Sequence, residues 1–176
     1  MKKNFIVILF LTFILSSTRT IAQKETKSFS FGFGLEPGIP TGNSSNVYSF
    51  SGGLTIRGSY HAGPGFVTLT TGAVLYAPKT ATGVPKKAAL EIPVRAGYKY
   101  IFPDKHLFVM GELGFASFTS YYKGANGDVA SSTSSSMIGA PTVGVQFNAF
   151  ELGLRYGINF KSGSGGDLAL RIGFNF

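Results

Sequence analysis

The sequence predicts an all-β fold: an eight-stranded antiparallel up-and-down transmembrane β-barrel behind a cleaved signal peptide. Short segments alternate large apolar residues with glycine, small polar or charged residues, and the connections between them alternate in length. The alternation is clearest at the end of the chain, where Leu168, Leu170, Ile172, Phe174 and Phe176 share one face. Because the bilayer core admits only helices and closed barrels, such a sheet must close on itself.

The N-terminal residues have the composition of a secretory signal peptide. Lys2 and Lys3 precede an apolar run at 5–15, and Thr20 to Ala22 provide small residues at a cleavage position. The apolar run is much shorter than the ~20 residues that a spanning helix needs, which disfavours an uncleaved anchor. We therefore expect a signal peptide at 1–22 and one barrel domain at 23–176.

Composition excludes several classes of protein. The chain has no cysteine, so it has no disulfide framework, no lipidation thiol and no thiolate metal site. Its net charge of +8 includes Lys2, Lys3 and Arg19 of the signal, which leaves +5 for the mature chain. Beyond the signal the only basic run is Lys86-Lys87, so we expect no nucleic-acid partner.

The first two strands separate their faces cleanly. In residues 29–36, phenylalanine and leucine at odd positions alternate with serine, glycine and Glu36 at even positions. In residues 48–60, aromatic and aliphatic residues at even positions alternate with small residues and Arg57 at odd positions. This period of two is typical of a strand with one apolar face.

The next two strands differ in clarity. Residues 66–77 are less regular, because Val74 and Tyr76 share a face with threonines. Residues 88–102 have the strongest alternation, with Glu91, Arg95 and Lys99 opposite an aliphatic and aromatic face. Pro93 lies within this strand, and proline cannot donate to a ladder, so we expect a local break there.

The last four strands complete an even number. Residues 107–121 carry bulk on both faces, whereas 137–147, 150–160 and the terminal run keep their apolar side chains on one face. Four long connectors alternate with three short ones: 37–47, 78–87, 122–136 and 161–167 are long, and 62–64, 103–104 and 148–149 are short. Outer-membrane barrels have short periplasmic turns and longer outer loops, so both termini are expected in the periplasm.

Every charged residue within these strands lies opposite the apolar face. A lysine or arginine facing lipid at mid-depth would cost about 2–4 kcal/mol, so these charges are expected in the lumen. An eight-stranded lumen is filled by its own side chains, and buried charges must be paired, which predicts a salt-bridged plug rather than a pore. We call this set the lumen charge network: Glu36, Arg57, Glu91, Arg95, Lys99, Glu112, Glu151, Arg155 and Arg171.

Two further geometric expectations follow from the strand assignment. A two-residue turn at Pro103-Asp104 would place Arg95 directly opposite Glu112. Aromatic residues collect near the strand ends, as in the two aromatic girdles of membrane barrels. One expected girdle contains Tyr60, Tyr98, Tyr100, Phe102, Phe147, Phe150, Phe174 and Phe176, and the other contains Tyr48, Phe50, Tyr76, Tyr121 and Phe160.

Residues 90–94 (LEIPV) and 98–100 (YKY) resemble the outer-membrane barrel domain of the PorT-like porin family of Bacteroidetes-type bacteria. The Ala22-Gln23 junction and the terminal phenylalanine fit this resemblance. It implies an outer-membrane barrel, mostly of a kind without known activity, in a family of which one branch serves protein secretion. Phe174 and Phe176 resemble the assembly signal read by the barrel-assembly machinery, which usually has glycine where Arg171 stands.

The implied partners are that machinery and periplasmic chaperones during biogenesis, and outer-membrane lipid and lipopolysaccharide afterwards. We expect a monomer.

Catalytic constellations are not apparent. The histidines, His61 and His106, fall in short turns of different hairpins, and no serine has a candidate base nearby. We expect no enzyme, cofactor or metal site, and instead a structural or loop-mediated interaction role at the cell surface, for example through 123–136.

The alternative is a secreted, soluble lipocalin-like barrel with its apolar face inward around a small apolar ligand. Its other face, rich in glycine, would be poorly solvated.

Overall fold

The computed structural model is a closed barrel of eight antiparallel strands in the order β1 to β8. It describes residues 28–79, 86–103, 106–123, 129–161 and 165–176, so the expected signal peptide and Asp104 lie outside the described residues. The strands are β1 Phe29–Thr41, β2 Tyr48–Ala62, β3 Gly65–Pro78, β4 Lys86–Ile101, β5 Leu107–Lys123, β6 Val129–Phe147, β7 Phe150–Asn159 and β8 Gly166–Asn175. A 3₁₀ turn, Gly42–Asn46, follows β1.

Each strand pairs with the next one along the chain, and β1 closes the sheet by pairing with β8. The closing pairs run from Gly32 opposite Asn175 to Thr41 opposite Gly166. The predicted eight-stranded up-and-down architecture is confirmed. No helix in the described part of the chain has the length and apolar character needed to cross a membrane.

The barrel is apolar outside and polar inside. Leu54 and Phe115 are 66% and 67% exposed, whereas Glu36 and Arg95 are each 1% exposed. The exposed side chains form an apolar belt on the outer surface that includes Phe33, Leu35, Ile56, Leu69, Ile92, Val94, Leu113, Val143, Leu154, Leu168 and Leu170. A lipocalin-like barrel would have the opposite arrangement, so that alternative is wrong for this structure.

Short turns collect at one end of the barrel, here called the turn end; the opposite end is the loop end. The β2–β3 ladder continues to Ala62 opposite Gly65, and the turn between them places Gly63 at φ +61°, which glycine adopts without strain. The β6–β7 ladder continues to Phe147 opposite Phe150. These tight hairpins fix the register of the strands that they join.

Two predicted loops contain strand residues. The predicted connector 122–136 overlaps β6, which begins at Val129 and pairs with β5 from Val129 to Val145. The predicted connector 37–47 overlaps β1, which continues to Thr41 beside β8. These segments lack apolar alternation, so the hydrophobic pattern could not reveal them, although their backbones pair.

The expected break at Pro93 is confirmed. Pairing between β3 and β4 stops at Thr71 opposite Val94 and resumes at Val74 opposite Glu91 in the same register. Pairing between β4 and β5 continues through Pro93. The missing N–H therefore affects only the β3 side of the strand.

Two tyrosines expected in the outer girdle lie inside instead. Tyr76 is 5% exposed on the lumen side of β3. A register shift between Tyr48 and Phe50 turns Tyr48 inward as well, where it packs against Tyr76 with ring centroids 5.5 Å apart. Phe118 completes this inner aromatic cluster at the loop end, with centroids 6.0 Å and 5.4 Å from the two tyrosines.

Candidate functional site

The lumen is the most unusual chemical environment of the molecule. Alternation along six of the strands directs charged side chains inward, and all members of the lumen charge network except Glu91 are buried. Ions buried in a narrow lumen lose hydration, so each needs a partner of opposite charge or a hydrogen bond. The contacts form around three glutamates on different strands.

Glu151 on β7 receives three cations. Its Oε1 lies 2.8 Å from Arg57 Nη1 and 3.1 Å from Arg171 Nε. Its Oε2 accepts a short hydrogen bond from Lys99 Nζ, and that ammonium also donates to Gln146 and lies 4.2 Å from the centre of the Phe108 ring. One carboxylate thus links β2, β4 and β8 to β7 across the lumen.

Glu36 on β1 is the second centre. Its Oε1 is 2.7 Å from Arg171 Nη1 and accepts a hydrogen bond of 2.9 Å from the Thr55 hydroxyl. Its Oε2 is 3.0 Å from Arg155 Nε. Because Arg171 belongs to β8, this ion pair bridges the seam at which the first and last strands close the barrel.

Glu112 on β5 is held less tightly by cations. Arg95 Nε lies 3.7 Å from its Oε2 and Arg57 Nε 3.8 Å from its Oε1, while the Thr70 hydroxyl donates a hydrogen bond of 2.5 Å. Arg95 also lies 3.7 Å from Glu36, and its Nε and Nη2 have no hydrogen-bond partner in the structure. Arg95 is therefore a charge with loose contacts at the middle of the network.

The predicted direct opposition of Arg95 and Glu112 is wrong. Arg95 lies opposite Gly114, and Glu112 lies opposite Gly97. The pairing ends at Ile101 opposite Phe108, so the turn is longer than the two residues assumed. The two side chains contact each other diagonally, because neighbours offset by two residues remain within reach of long side chains.

Asp167 is a lumen residue that the sequence reasoning missed. It is 5% exposed and its Oδ2 lies 2.6 Å from Arg155 Nη2. The apolar pattern places it in the connector 161–167, although it has the same parity as Ala169 and Arg171 on β8. Extending the alternation by one step would have found it. With Asp167, five acidic residues face five basic ones in the described lumen.

Glu91 lies apart from the ion pairs. Its Oε2 accepts a hydrogen bond of 2.7 Å from the Tyr76 hydroxyl, and the ion pairs between described side chains do not include it. It lines a cleft of about 40 Å³ at the loop end with Arg95, Arg155 and Asp167.

Comparison with solved structures places this geometry among known barrels. The chain is similar to the N-terminal β-barrel domain of Pseudomonas aeruginosa OprF, with 14% identity, a TM-score of 0.58, and coverage of 84% of this chain and 97% of that one. It is similar to Ail, the attachment invasion locus protein of Yersinia pestis, with 14% identity, a TM-score of 0.58, and coverage of 85% and 97%. Neisserial surface protein A matches at 12% identity and a TM-score of 0.53, with coverage of 85% and 96%.

The chain has the fold of these barrels. No protein-family model and no curated protein sequence matches it. At such low identity the likeness establishes architecture, and the site must be interpreted from its own residues.

The remaining candidate residues lie at the turn end. His61 packs edge-on against Phe66 with centroids 5.2 Å apart, and His106 packs against Phe147 at 4.9 Å. In the described part of the chain no group of three or more potential metal ligands comes together. The arrangement of the lumen is suited to linking strands electrostatically, and the rings of both histidines pack against phenylalanine.

The two residues of the expected assembly signal are exposed on the outer surface of β8 and just beyond it. Phe174 packs against Phe150 with centroids 5.5 Å apart, and Phe176 lies 6.2 Å from Phe33. Both side chains are about half exposed. They therefore sit where an aromatic girdle would meet lipid headgroups at the turn end.

Proposed function

We propose that this protein is a small integral outer-membrane β-barrel with a closed, salt-bridged lumen. It acts structurally or through surface interactions and performs no catalysis. The observation that carries the proposal is the inversion of its surfaces, with an apolar belt outside and paired charges inside. A protein in water would bury the belt, whereas a bilayer solvates it.

The belt has a defined upper limit that supports this placement. On the outer face of the β5–β6 ladder, Phe115 lies beside Met137. The next pairs on the same face, toward the loop end, are Ser117 with Ser135 and Thr119 with Thr133. The change from apolar to hydroxyl side chains matches the passage from hydrocarbon to headgroups and water. The turn end, with its aromatic side chains, is then periplasmic and holds both termini.

The closed lumen rests on ion pairs that cross the barrel. Glu151 and Glu36 together connect side chains from β2, β4, β7 and β8, so the middle of the lumen is occupied by salt bridges. Ion flow would require these buried pairs to separate, which leaves charges without partners.

Partners follow from this placement. Outer-membrane lipid and lipopolysaccharide surround the belt, and the barrel-assembly machinery and periplasmic chaperones act during biogenesis, with Phe174 and Phe176 as the assembly signal. We infer a monomer, since the sheet closes within one chain. Membership of the PorT-like porin family is part of the proposal and rests on residues 90–94 and 98–100.

The test is expression with the native leader, followed by membrane fractionation and gel electrophoresis with and without boiling. We expect release from membranes only with detergent and a mobility that shifts on heating, as for a barrel that stays folded in detergent. Planar-bilayer recordings of the purified protein are expected to show no stable conductance.

Recovery in the soluble periplasmic fraction would contradict the membrane assignment. Stable single-channel conductance would contradict the closed lumen alone.

A further inference from the structure

At the loop end of the barrel, the paired strands β5 and β6 extend further than the neighbouring strand β7. β6 pairs with β5 as far as Val129 opposite Lys123. On its other side, pairing with β7 begins only at Ile138 opposite Asn159, preceded by one hydrogen bond of 3.1 Å from Phe160 N–H to Met137 C=O. Among the described residues, 129–136 therefore have a strand on one side only. We call this segment the β6 edge.

We propose that the β6 edge binds an extended strand of another protein by β-strand addition. The proposal rests on the membrane placement above, which puts this edge outside the cell, and it names the kind of partner that the surface interactions involve. In β-strand addition, main-chain hydrogen bonds provide affinity and the side chains on either side provide selectivity.

The backbone groups that face the open side can be identified. In an antiparallel ladder, successive residues direct their N–H and C=O groups to opposite neighbours. Met137 directs its C=O to β7, and the β5–β6 register is uninterrupted, so Ser135, Thr133 and Ser131 direct theirs to the open side. The residues between them pair with β5.

This edge lacks the usual protection against pairing. Natural edge strands are blocked by lysine, proline, bulges or inward-pointing charges. The β6 edge consists of valine, alanine, serine and threonine, and its serines and threonine are mostly exposed. Small hydroxyl side chains leave the backbone open to a neighbouring strand and stay soluble without one.

A second copy of this chain does not suit the edge. Two copies in one membrane stand the same way up, so their β6 strands run in the same direction. If the β6 edges of the two copies faced each other, each residue would lie level with the same residue of the other copy. In a parallel ladder, a residue whose N–H and C=O groups point toward the neighbouring strand lies level with a residue whose groups point away from it. Two identical edges at the same level cannot meet this condition.

The geometry also specifies the partner strand. It continues the direction of β7, antiparallel to β6, and its N-terminal end lies near Lys161, which is exposed just after β7. The β6 edge itself has no charge. The partner is therefore an uncharged segment of small and β-branched residues, with an acidic residue at its N-terminal end beside Lys161.

The probe is a labelled synthetic peptide, acetyl-Asp-Thr-Val-Thr-Val-Thr-Val-Thr-amide, titrated into the folded barrel in detergent micelles. Thr133→Pro combined with Ser135→Pro removes two open-side N–H groups without removing a main-chain hydrogen bond to β5. The hydroxyl contact of 3.0 Å between Thr133 and Thr119 of β5 is lost in this variant and in its control alike. Thr133→Ala combined with Ser135→Ala is the matched control, since it changes the side chains and keeps the backbone. We expect saturable binding that the proline pair weakens by about tenfold or more and the alanine pair leaves unchanged.

Hydrogen exchange gives a second readout on the unaltered barrel. The amides of Ser131, Thr133 and Ser135 should exchange rapidly alone and slowly with peptide, while those of Ser132 and Ser134 stay protected throughout. Lys161→Ala should weaken binding and remove its salt dependence.

The proposal is overturned if the peptide does not bind saturably or if the proline and alanine pairs behave alike. Protection of the odd-numbered amides without peptide, increasing with protein concentration, would assign the edge to a second copy instead. If the gel mobility of the barrel shifts on heating but the peptide does not bind, this proposal fails while the membrane assignment stands.

Discussion

Glu151 illustrates how single residues determine the stability of the lumen. Its carboxylate faces Arg57, Lys99 and Arg171, and its side chain has no exposed surface. Replacing a whole buried ion cluster by apolar groups can be neutral, but removing one partner leaves the others charged and desolvated. The cost of a substitution here is thus the cost of unpaired cations.

We predict that Glu151→Gln lowers the free energy of unfolding by about 3–5 kcal/mol, because three buried cations lose their common anion while the shape is retained. Chemical denaturation of the barrel folded in lipid vesicles measures this change. Glu91→Gln is the matched control, since Glu91 bonds to the Tyr76 hydroxyl instead. Equal losses for the two variants would show that the ion pairs do not stabilise the lumen.

At the scale of strands, the sequence predicted the eight elements and which residues share a face because apolar alternation has a period of two. It failed where that signal is absent. The serine-rich start of β6 carries no apolar pattern. The bulge between Tyr48 and Phe50 places Tyr48 on the lumen side, opposite to the face that alternation predicts.

The candidate site was also predicted only in part. Parity alone predicted that nine charged residues face the lumen, whereas their partners depend on register, and register depends on turn length. The assumed turn put Arg95 two positions away from its true opposite, Gly114. Asp167 lies outside the predicted strand because that strand begins at Leu168, two residues after the observed start of β8 at Gly166.

Close approach of β4 and β5 leads to a prediction about two glycines on the same strand. A Cβ on Gly114 would lie 2.0 Å from the Val94 carbonyl oxygen and 2.7 Å from the Arg95 Cα, whereas a Cβ on Gly111 meets no atom within 4 Å. Backbone atoms cannot move aside without separating the strands. Gly114→Ala should therefore reduce stability by about 1–3 kcal/mol, and Gly111→Ala by less than about 0.5 kcal/mol, in the same denaturation assay.

A similar effect of both substitutions would mean that the strand spacing at Gly114 is not limiting.

The whole molecule is organised by which solvent each surface meets. Soluble barrels and membrane barrels can share a strand pattern, and the pattern alone leaves the orientation of its faces open. The structure resolves this, because Arg57, Arg95 and Arg171 are each at most 1% exposed while the aliphatic face is outside. A charge placed on the outer surface therefore distinguishes hydrocarbon from water directly.

Leu154 provides this test, because it is 48% exposed and lies on β7 between Phe150 and Phe160, near the middle of the apolar belt. We predict that Leu154→Lys lowers the free energy of unfolding in lipid vesicles by roughly 2–4 kcal/mol, since an ammonium at mid-depth loses hydration. Thr133→Lys is the control; it also faces outward but lies above the belt, where lysine remains in water. If both lysines leave stability unchanged, the belt is not in hydrocarbon; if only Leu154→Lys is costly, the belt marks the depth of the membrane.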